Sequence, residues 1–335
     1  MMRKFIYIYL MLLFVPLIVK GQQYQFSQYN YSMQQVNPAS VSLDNFATAS
    51  FIYRSQRSQP GIELNNLLVS AKYPILGRRG DRWSGIGVTI GHDQTGYDGL
   101  LEKMNFGVNY AFNFFLDRSK RKVLSWGVRG GFHMSGFNMD NLTTGNQYKP
   151  GGFDPGISSG EDLGALTANY FTIGSGLMYE SRNRDDERLL HWGIAIQDFN
   201  RPNESFSGEK ALLPVTYVGE FGFRAYENYY FNVYPEVLYS HSASTGILSV
   251  GMVTTYKLDK YYYQLTDQEI KLHTKYLSNQ GILLGFQWHK GPVSAGVSYE
   301  IPVNNRLANR GLLNLDFSWV RKLNQGTDIR ENPVI

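Results

Sequence analysis

The residue types that most often carry out chemistry are scattered along this chain. Ser125 and His133 would lie about 26 Å apart on one extended strand, which is too far for a nucleophile and its base. We find no catalytic triad and no glycine-rich phosphate loop, so the sequence predicts no enzymatic activity and no cofactor. The histidines show neither a His-Glu-x-x-His motif nor an i, i+4 pair; they are His92, His133, His191, His241, His273 and His289.

Two acidic stretches have the composition of calcium-binding loops without the spacing. GHDQTGYDG holds Asp93 and Asp98, and FNMDNLTTGN holds Asp140, but neither has the ligand order of an EF-hand. Stretches of this composition usually form hairpin loops. The sequence therefore predicts no metal site, and a calcium ion in an outer loop stays an open alternative.

Composition narrows the class of protein further than any of these motifs. The 335 residues include no cysteine, which excludes disulfides and zinc–thiolate sites. Aromatic residues make up 15% of the chain, with 24 Tyr and 20 Phe beside 34 Gly. The formal net charge is +4, but Arg3, Lys4 and Lys20 all lie within residues 1–21. The rest of the chain is close to neutral, so nucleic acid is not an expected partner.

Residues 1–21 have the features of a secretory signal peptide. Arg3 and Lys4 form a basic start, FIYIYLMLLFVPLIV is apolar, and Val19 and Gly21 stand before the expected cleavage point. A retained anchor is the alternative, although this run is shorter than the about 20 residues of a spanning helix. No later apolar run is long enough to span either. An exported chain of this composition is typical of an outer-membrane β-barrel.

The barrel interpretation predicts strands of about ten residues that alternate between apolar and small or polar residues. In MNFGVNYAFNFFL, every second residue from Met104 to Leu116 is apolar or aromatic. An even strand count keeps both chain ends in the periplasm, so we retain the weak strand 268–277. The alternation predicts fourteen strands: 46–54, 62–73, 83–91, 104–116, 123–133, 167–179, 190–199, 214–226, 229–240, 246–257, 268–277, 281–289, 293–301 and 311–320.

The predicted layout follows from these strands. It comprises a signal peptide (1–21), a periplasmic or plug segment (22–45), an all-β transmembrane antiparallel barrel (46–320) and a polar periplasmic tail (321–335). Loops 134–166 and 200–213 would face outward. Their aromatic residues are candidate partner contacts, or else pack locally in ordinary mobile loops: Phe137, Tyr148, Phe153 and Phe206.

Tryptophans and inward charges give two further expectations. Inward residues such as Arg129, Glu220, Arg224 and Glu236 either tune ion selectivity or pair across the lumen. The five tryptophans fall at predicted periplasmic strand ends, as in an interfacial girdle, and all except Trp83 have the outward parity: Trp83, Trp126, Trp192, Trp288 and Trp319.

The segment QFSQYNYSMQQVNPAS, residues 25–40, resembles the N-terminal signature of the PorP/SprF family of Bacteroidetes outer-membrane proteins. FIYRSQ and GVSYEI resemble later strands of that family, and KYPIL resembles the turn after its second strand, although Glu300 stands where Asp is usual and the closing strand differs. An ordered segment of this kind could plug the barrel or bind a partner. Its candidate contact residues are Gln25, Phe26, Gln28, Tyr29, Asn37 and Pro38.

The resemblance implies a barrel of the type IX secretion and gliding system. Such a barrel would lie in outer-membrane lipid, anchor a secreted cell-surface adhesin through the adhesin's C-terminal sorting domain, and assist its secretion. Alternatively, it would connect the outer membrane to ring proteins of the periplasmic machine. A passive diffusion pore is the alternative from another class.

Overall fold

The computed structural model describes residues 32–59, 62–77, 81–97, 99–137, 145–150, 152–154, 156–157, 167–184, 186–206, 209–259, 268–278, 281–303 and 312–322. The predicted signal peptide, most of the predicted polar tail and the candidate residues Gln25, Phe26, Gln28 and Tyr29 lie outside this description.

Antiparallel strands account for most of the described chain. One 15-stranded sheet holds fourteen long strands and the two-residue β11, and β6 and β7 form a separate pair. The strands are β1 (Phe46–Gln59), β2 (Ile62–Leu76), β3 (Arg82–Tyr97), β4 (Leu101–Phe115), β5 (Lys122–Phe137), β6 (Tyr148–Lys149), β7 (Gly152–Phe153), β8 (Thr167–Arg182), β9 (Arg188–Gln197), β10 (Thr216–Phe223), β11 (Tyr226–Glu227), β12 (Phe231–Ser242), β13 (Thr245–Asp259), β14 (Gln268–Leu277), β15 (Gly281–Lys290), β16 (Val293–Pro302) and β17 (Leu312–Lys322).

The pairing of the fourteen long strands runs in a ring. β5 pairs directly with β8, and β1 pairs with both β2 and β17. The pairing of β10 with β12 joins the two ends of the remaining strand order. All fourteen predicted strands are present, including 268–277, and β17 continues to Lys322, beyond the predicted barrel end at 320.

The two faces of the sheet have opposite chemistry, as the alternation predicts. On β4, Asn109 is fully buried while its neighbours Val108 and Tyr110 are 54% and 42% exposed. The same pattern on the other strands leaves apolar side chains on the outside of the ring and small or polar ones on the inside. Such a surface matches lipid rather than water.

Among the described residues, no helix has the length and apolar character needed to cross a membrane.

The prediction that Trp83 has the inward parity is wrong. Ile75 pairs with Ser84 and Leu76 with Arg82, so Trp83 has no pairing partner on β2. This irregularity reverses the alternation at the start of β3. Trp83 is therefore 39% exposed on the outer face, and its ring meets that of Phe112 edge-on at 5.8 Å. Trp126, Trp192 and Trp288 are also exposed on that face.

The chain ahead of β1 lies against the inner face of the ring. It forms a four-residue helix, Met33–Val36, and a 3₁₀ helix, Pro38–Ser42. Two small apolar clusters pack it onto the wall. In the first, Val36 meets Ala195, Val218 and Leu238; in the second, Ala39 and Leu43 meet Val123 and Met178. We call residues 32–43 the inner segment.

The ring has two ends, which we name by the strands that meet there. At the entry end β1 begins, and the connection from β8 to β9 and the turn 224–230 lie at that end. At the far end β5 finishes at Phe137, β8 begins, and residues 198–215 connect β9 to β10.

Candidate functional site

Asn37 fixes the middle of the inner segment to the wall. Its side chain is fully buried, and its Oδ1 accepts a hydrogen bond from the Ala39 amide at 3.1 Å, as an N-cap does. Its Nδ2 donates to the Leu177 carbonyl at 3.1 Å and to Glu220 Oε1 at 3.0 Å. Pro38 follows as the first residue of the 3₁₀ helix, where its fixed φ suits the turn.

Ser42 forms the second polar attachment. Its Oγ lies 2.7 Å from Asn113 Oδ1 and 2.8 Å from Ser125 Oγ. Asn113 Nδ2 donates to the Ser42 carbonyl at 2.8 Å, and Ser125 Oγ donates to the Ala39 carbonyl at 2.8 Å. β4 and β5 thus bind the main chain of the inner segment as well as its side chains.

Glycines on the wall let the inner segment approach closely. An added Cβ would come within 3.0 Å of the inner segment at each of five positions, which we call the glycine cradle. The hypothetical Cβ would lie 2.4 Å from the Val41 carbonyl oxygen at Gly85, 2.1 Å from Gln34 Oε1 at Gly87, 2.4 Å from the Ala39 amide nitrogen at Gly127, 2.2 Å from Asn37 Oδ1 at Gly176 and 2.7 Å from Asn37 Nδ2 at Gly193.

The cradle glycines differ in how strictly they are needed. At Gly85 and Gly127, an added Cβ would meet backbone atoms of the inner segment. Backbone atoms cannot move aside as a flexible side chain can. Gly130, also on β5, has open space where its Cβ would be. On the same strand, an added Cβ would therefore meet the inner segment at Gly127 but not at Gly130.

The first half of the inner segment is held by side chains that reach its carbonyls. Gln197 Nε2 donates to the carbonyls of Gln35 at 2.6 Å and Val36 at 2.7 Å. Arg129 Nη1 reaches the Gln34 carbonyl at 3.4 Å, a longer and weaker contact. Beyond this half lies a cavity of about 280 Å³ toward the far end, lined by Ser32, Arg129, Asp198 and others.

A charged cluster at the entry end attaches the end of the inner segment. The Leu43 carbonyl accepts from Arg82 Nη1 at 2.6 Å and from Arg182 Nη2 at 3.0 Å. Asp44 pairs with Lys72 and, at 3.2 Å, with Arg182. Burial alone would raise the pKa of Asp44, but these two cations outweigh it and hold that pKa well below its usual range.

Inward charges pair along the inner wall at two further places, in keeping with one of the two alternatives of the sequence analysis. Glu187 accepts from Lys257 Nζ at 2.6 Å and from Arg224 Nη1 at 3.0 Å. Burial opposes ionisation of Glu187, but the hydrogen bond from Lys257 and the neighbouring positive charges lower its pKa to about 2. Deeper in the ring, Lys275 Nζ lies 2.6 Å from Glu236 Oε1, and both side chains are buried.

The candidate residues occupy two separate regions. Asn37 and Pro38 are in the interior, whereas Phe137 ends β5 at the far end, where its ring packs against that of Phe206 at 5.1 Å. Tyr148 is 59% exposed and pairs through its backbone with Phe153 between β6 and β7. The side chain of Phe153 lies outside the description.

Sequence reasoning did not identify Ser42, Gln197 or the glycine cradle as parts of one site. Gly85, Gly127 and Gly193 do stand at inward positions of their predicted strands. A run of inward glycines on neighbouring strands is the signal that predicts close contact with another backbone.

The family model described as type IX secretion system membrane protein PorP/SprF matches residues 18–315. Among curated proteins, no match was found.

Solved structures share the fold at low sequence identity. A FadL homologue from Pseudomonas aeruginosa is 8% identical with a TM-score of 0.51, covering 86% of this chain and 93% of its own. The toluene transporter TbuX from Ralstonia pickettii is 9% identical with a TM-score of 0.50, covering 88% and 94%. Likeness at these identities concerns the fold alone.

Proposed function

The chain belongs to the PorP/SprF family of type IX secretion system membrane proteins, and from that premise we propose that it holds a secreted cell-surface adhesin at the outer membrane and assists its secretion. In this proposal the apolar outer face contacts lipid, the entry end faces the periplasm and the far end faces outward. The adhesin's C-terminal sorting domain is the part that it binds. No catalytic step is involved.

The observation that carries the proposal is the occupied interior. The inner segment is bonded to β4, β5, β8, β9 and β10 through Asn113, Ser125, the Leu177 carbonyl, Gln197 and Glu220. A channel for diffusion needs a continuous aqueous path through the barrel. The inner segment takes up part of the interior through which such a path would run. An occupied barrel suits a protein that binds partners at its ends.

The far end offers an ordered surface for the adhesin. Phe206 packs on Phe137 at 5.1 Å. The connection before and after Phe206 is held as a hairpin, because Glu204 N donates to the Ala211 carbonyl at 2.9 Å and Leu213 N donates to the Pro202 carbonyl at 2.8 Å. Aromatic residues on a rigid support are the usual anchors of protein interfaces.

A second candidate function, connection to the periplasmic ring of the secretion machine, is favoured by the turn 224–230. Tyr229 and Tyr230 are 64% and 58% exposed at the entry end. Asn228 Oδ1 accepts from the amides of Tyr230 at 2.9 Å and Phe231 at 2.7 Å, which fixes the turn. These tyrosines would contact ring proteins.

Affinity purification from native membranes, followed by mass spectrometry, tests both candidates with one pair of variants. Phe206→Ala changes the far end and Tyr229→Ala the entry end. The proposal expects a large secreted protein to co-purify with the parent and the Tyr229→Ala chain, and to be reduced with Phe206→Ala. Loss of ring proteins with Tyr229→Ala, without any adhesin in the parent sample, would support the second candidate. Recovery of the barrel alone would contradict both.

The absence of catalysis is tested separately. Purified protein is assayed for esterase and phospholipase activity and treated with a serine-reactive probe. Labelling of a single serine would overturn this part of the proposal.

A further inference from the structure

We propose that the glycine cradle is a polypeptide-binding site whose resident ligand, the inner segment, can be replaced by a second polypeptide of the same chemistry. That chemistry is an Asn-Pro pair followed by small residues. The inference goes beyond the proposed function, since it concerns what the interior binds and does not assume which protein supplies the second polypeptide.

The wall recognises main-chain atoms that any polypeptide carries. Gln197 bonds to the Val36 carbonyl, Ser125 to the Ala39 carbonyl and Asn113 to the Ser42 carbonyl. At the end of the inner segment, Arg82 and Arg182 bond to the Leu43 carbonyl. Selectivity comes from the Asn37 side chain and from the lack of space at Ala39, which is fully buried opposite Gly127.

The inner segment is separable from the strands that surround it. None of its described residues belongs to a strand of the ring, and it joins β1 through Asp44 and Asn45. Its departure would leave every strand pairing in place. The wall that it would uncover includes Asn113 and Ser125, which water can solvate.

The fit of the resident ligand is incomplete. Asn109 is fully buried on β4, between Gly87 and Arg129 across the ladder, and neither polar atom of its side chain has a hydrogen-bond partner among the described residues. Glu220 Oε2 on β10 is also buried without a hydrogen-bond partner among the described residues, although Glu220 Oε1 accepts from Asn37. Unsatisfied buried groups of this kind are rare and call for an explanation. A second polypeptide that supplies these bonds would bind in competition with the inner segment.

Exchange can be measured on the full chain because it has no cysteine. Ser40→Cys introduces one thiol at a buried position of the inner segment. The purified protein in detergent is treated with a maleimide, with and without the synthetic peptide SMQQVNPASVSL, which copies residues 32–43. The proposal expects the peptide to raise the labelling rate about tenfold. A peptide with Ala in place of its single Asn should have no effect.

A matched pair of glycine variants identifies the site. Gly127→Ala places a Cβ against the Ala39 amide, so the thiol should label rapidly with or without the peptide. Gly130→Ala, on the same strand with open space, should behave as the parent. Heat-dependent gel mobility confirms that each variant is folded.

A second measurement decides the case in which Gly127→Ala does not fold. Asn37→Ala weakens the resident ligand, so this variant should bind the fluorescein-labelled peptide more tightly than the parent in an anisotropy titration. Peptide that neither changes labelling of the parent nor binds to Asn37→Ala would overturn the inference. The adhesin experiment is unaffected by either result.

Discussion

Asn37 and Glu220, which are 183 positions apart in sequence, meet in the interior, where Asn37 Nδ2 donates to Glu220 Oε1 at 3.0 Å. The bond ties the inner segment to β10, the strand that pairs with both β9 and β12. Gly193 lies beside it, and a Cβ there would be 2.4 Å from Glu220 Oε1. One asparagine thus connects the 3₁₀ helix, β8 and β10.

The first prediction concerns this bond. Asn37→Asp should release the inner segment more than Asn37→Ala, because Asp adds a second carboxylate beside Glu220 in a buried place. A typical intramolecular hydrogen bond contributes about 0.5–1.5 kcal/mol. The maleimide labelling rate of Ser40→Cys measures release. Glu220→Gln is the control, since it keeps an acceptor for Asn37 Nδ2. Faster labelling with Glu220→Gln than with Asn37→Asp would contradict the assignment.

The buried pair Lys275–Glu236 should contribute strongly to stability. Lys275→Met leaves Glu236 buried without this partner, and breaking such a pair costs about 3–5 kcal/mol of unfolding free energy. Lys271→Met is the control on the same strand, because Lys271 is 33% exposed and 3.7 Å from Glu269, so its loss should cost at most about 1 kcal/mol. Urea unfolding in detergent, followed by tryptophan fluorescence, measures both. Equal losses would show that the buried pair has no special role.

Acid should loosen the entry end through Glu187. The folded state lowers the pKa of this group from 4.5 to about 2. A lowered carboxyl pKa contributes stability that is complete above the ordinary pKa and is lost as the pH falls through the folded value. The stability of the parent should therefore fall between about pH 4.5 and 2. Glu187→Gln should be less stable at neutral pH and show a shallower decline in melting temperature. An unchanged pH profile in Glu187→Gln would assign the acid sensitivity to other groups, such as Asp44.

The outward face should tolerate charge only near its ends. Val108 lies in the middle of β4 and is 54% exposed, so Val108→Arg should cost about 2–4 kcal/mol if this surface faces the middle of a bilayer. Leu116 is 57% exposed just after the same strand, and Leu116→Arg should cost about 0–1 kcal/mol. Folding into lipid vesicles measures the difference. Similar costs at the two positions would place Val108 outside the hydrocarbon layer.

Much of the fold was predictable because strand alternation is a local property. Met104 to Leu116 shows which side chains face outward, and burial of Asn109 and Asn113 follows from the same period. Trp83 was misplaced because an irregular pairing depends on the neighbouring strand. The register shift between Ile75 and Leu76 is not visible in the residues of β3 alone.

The site was less predictable because its contacts span long distances in sequence. Asn37-Pro38 indicates a turn, but nothing near it in sequence identifies Gly176, Gln197 or Glu220 as its neighbours. From the sequence alone, an inward glycine such as Gly127 is interpreted only as a small residue that faces the lumen. Their role becomes apparent once the Ala39 amide is placed against one of them.

The central claim is that the inner segment occupies the barrel interior, so that the protein holds partners and does not conduct. Single-channel recording of the full chain in planar lipid bilayers tests it most directly. The account predicts no large steady conductance for the parent or for Gly130→Ala, and frequent opening for Gly127→Ala, in which the inner segment loses its place. Large, steady currents from the unmodified chain would contradict it.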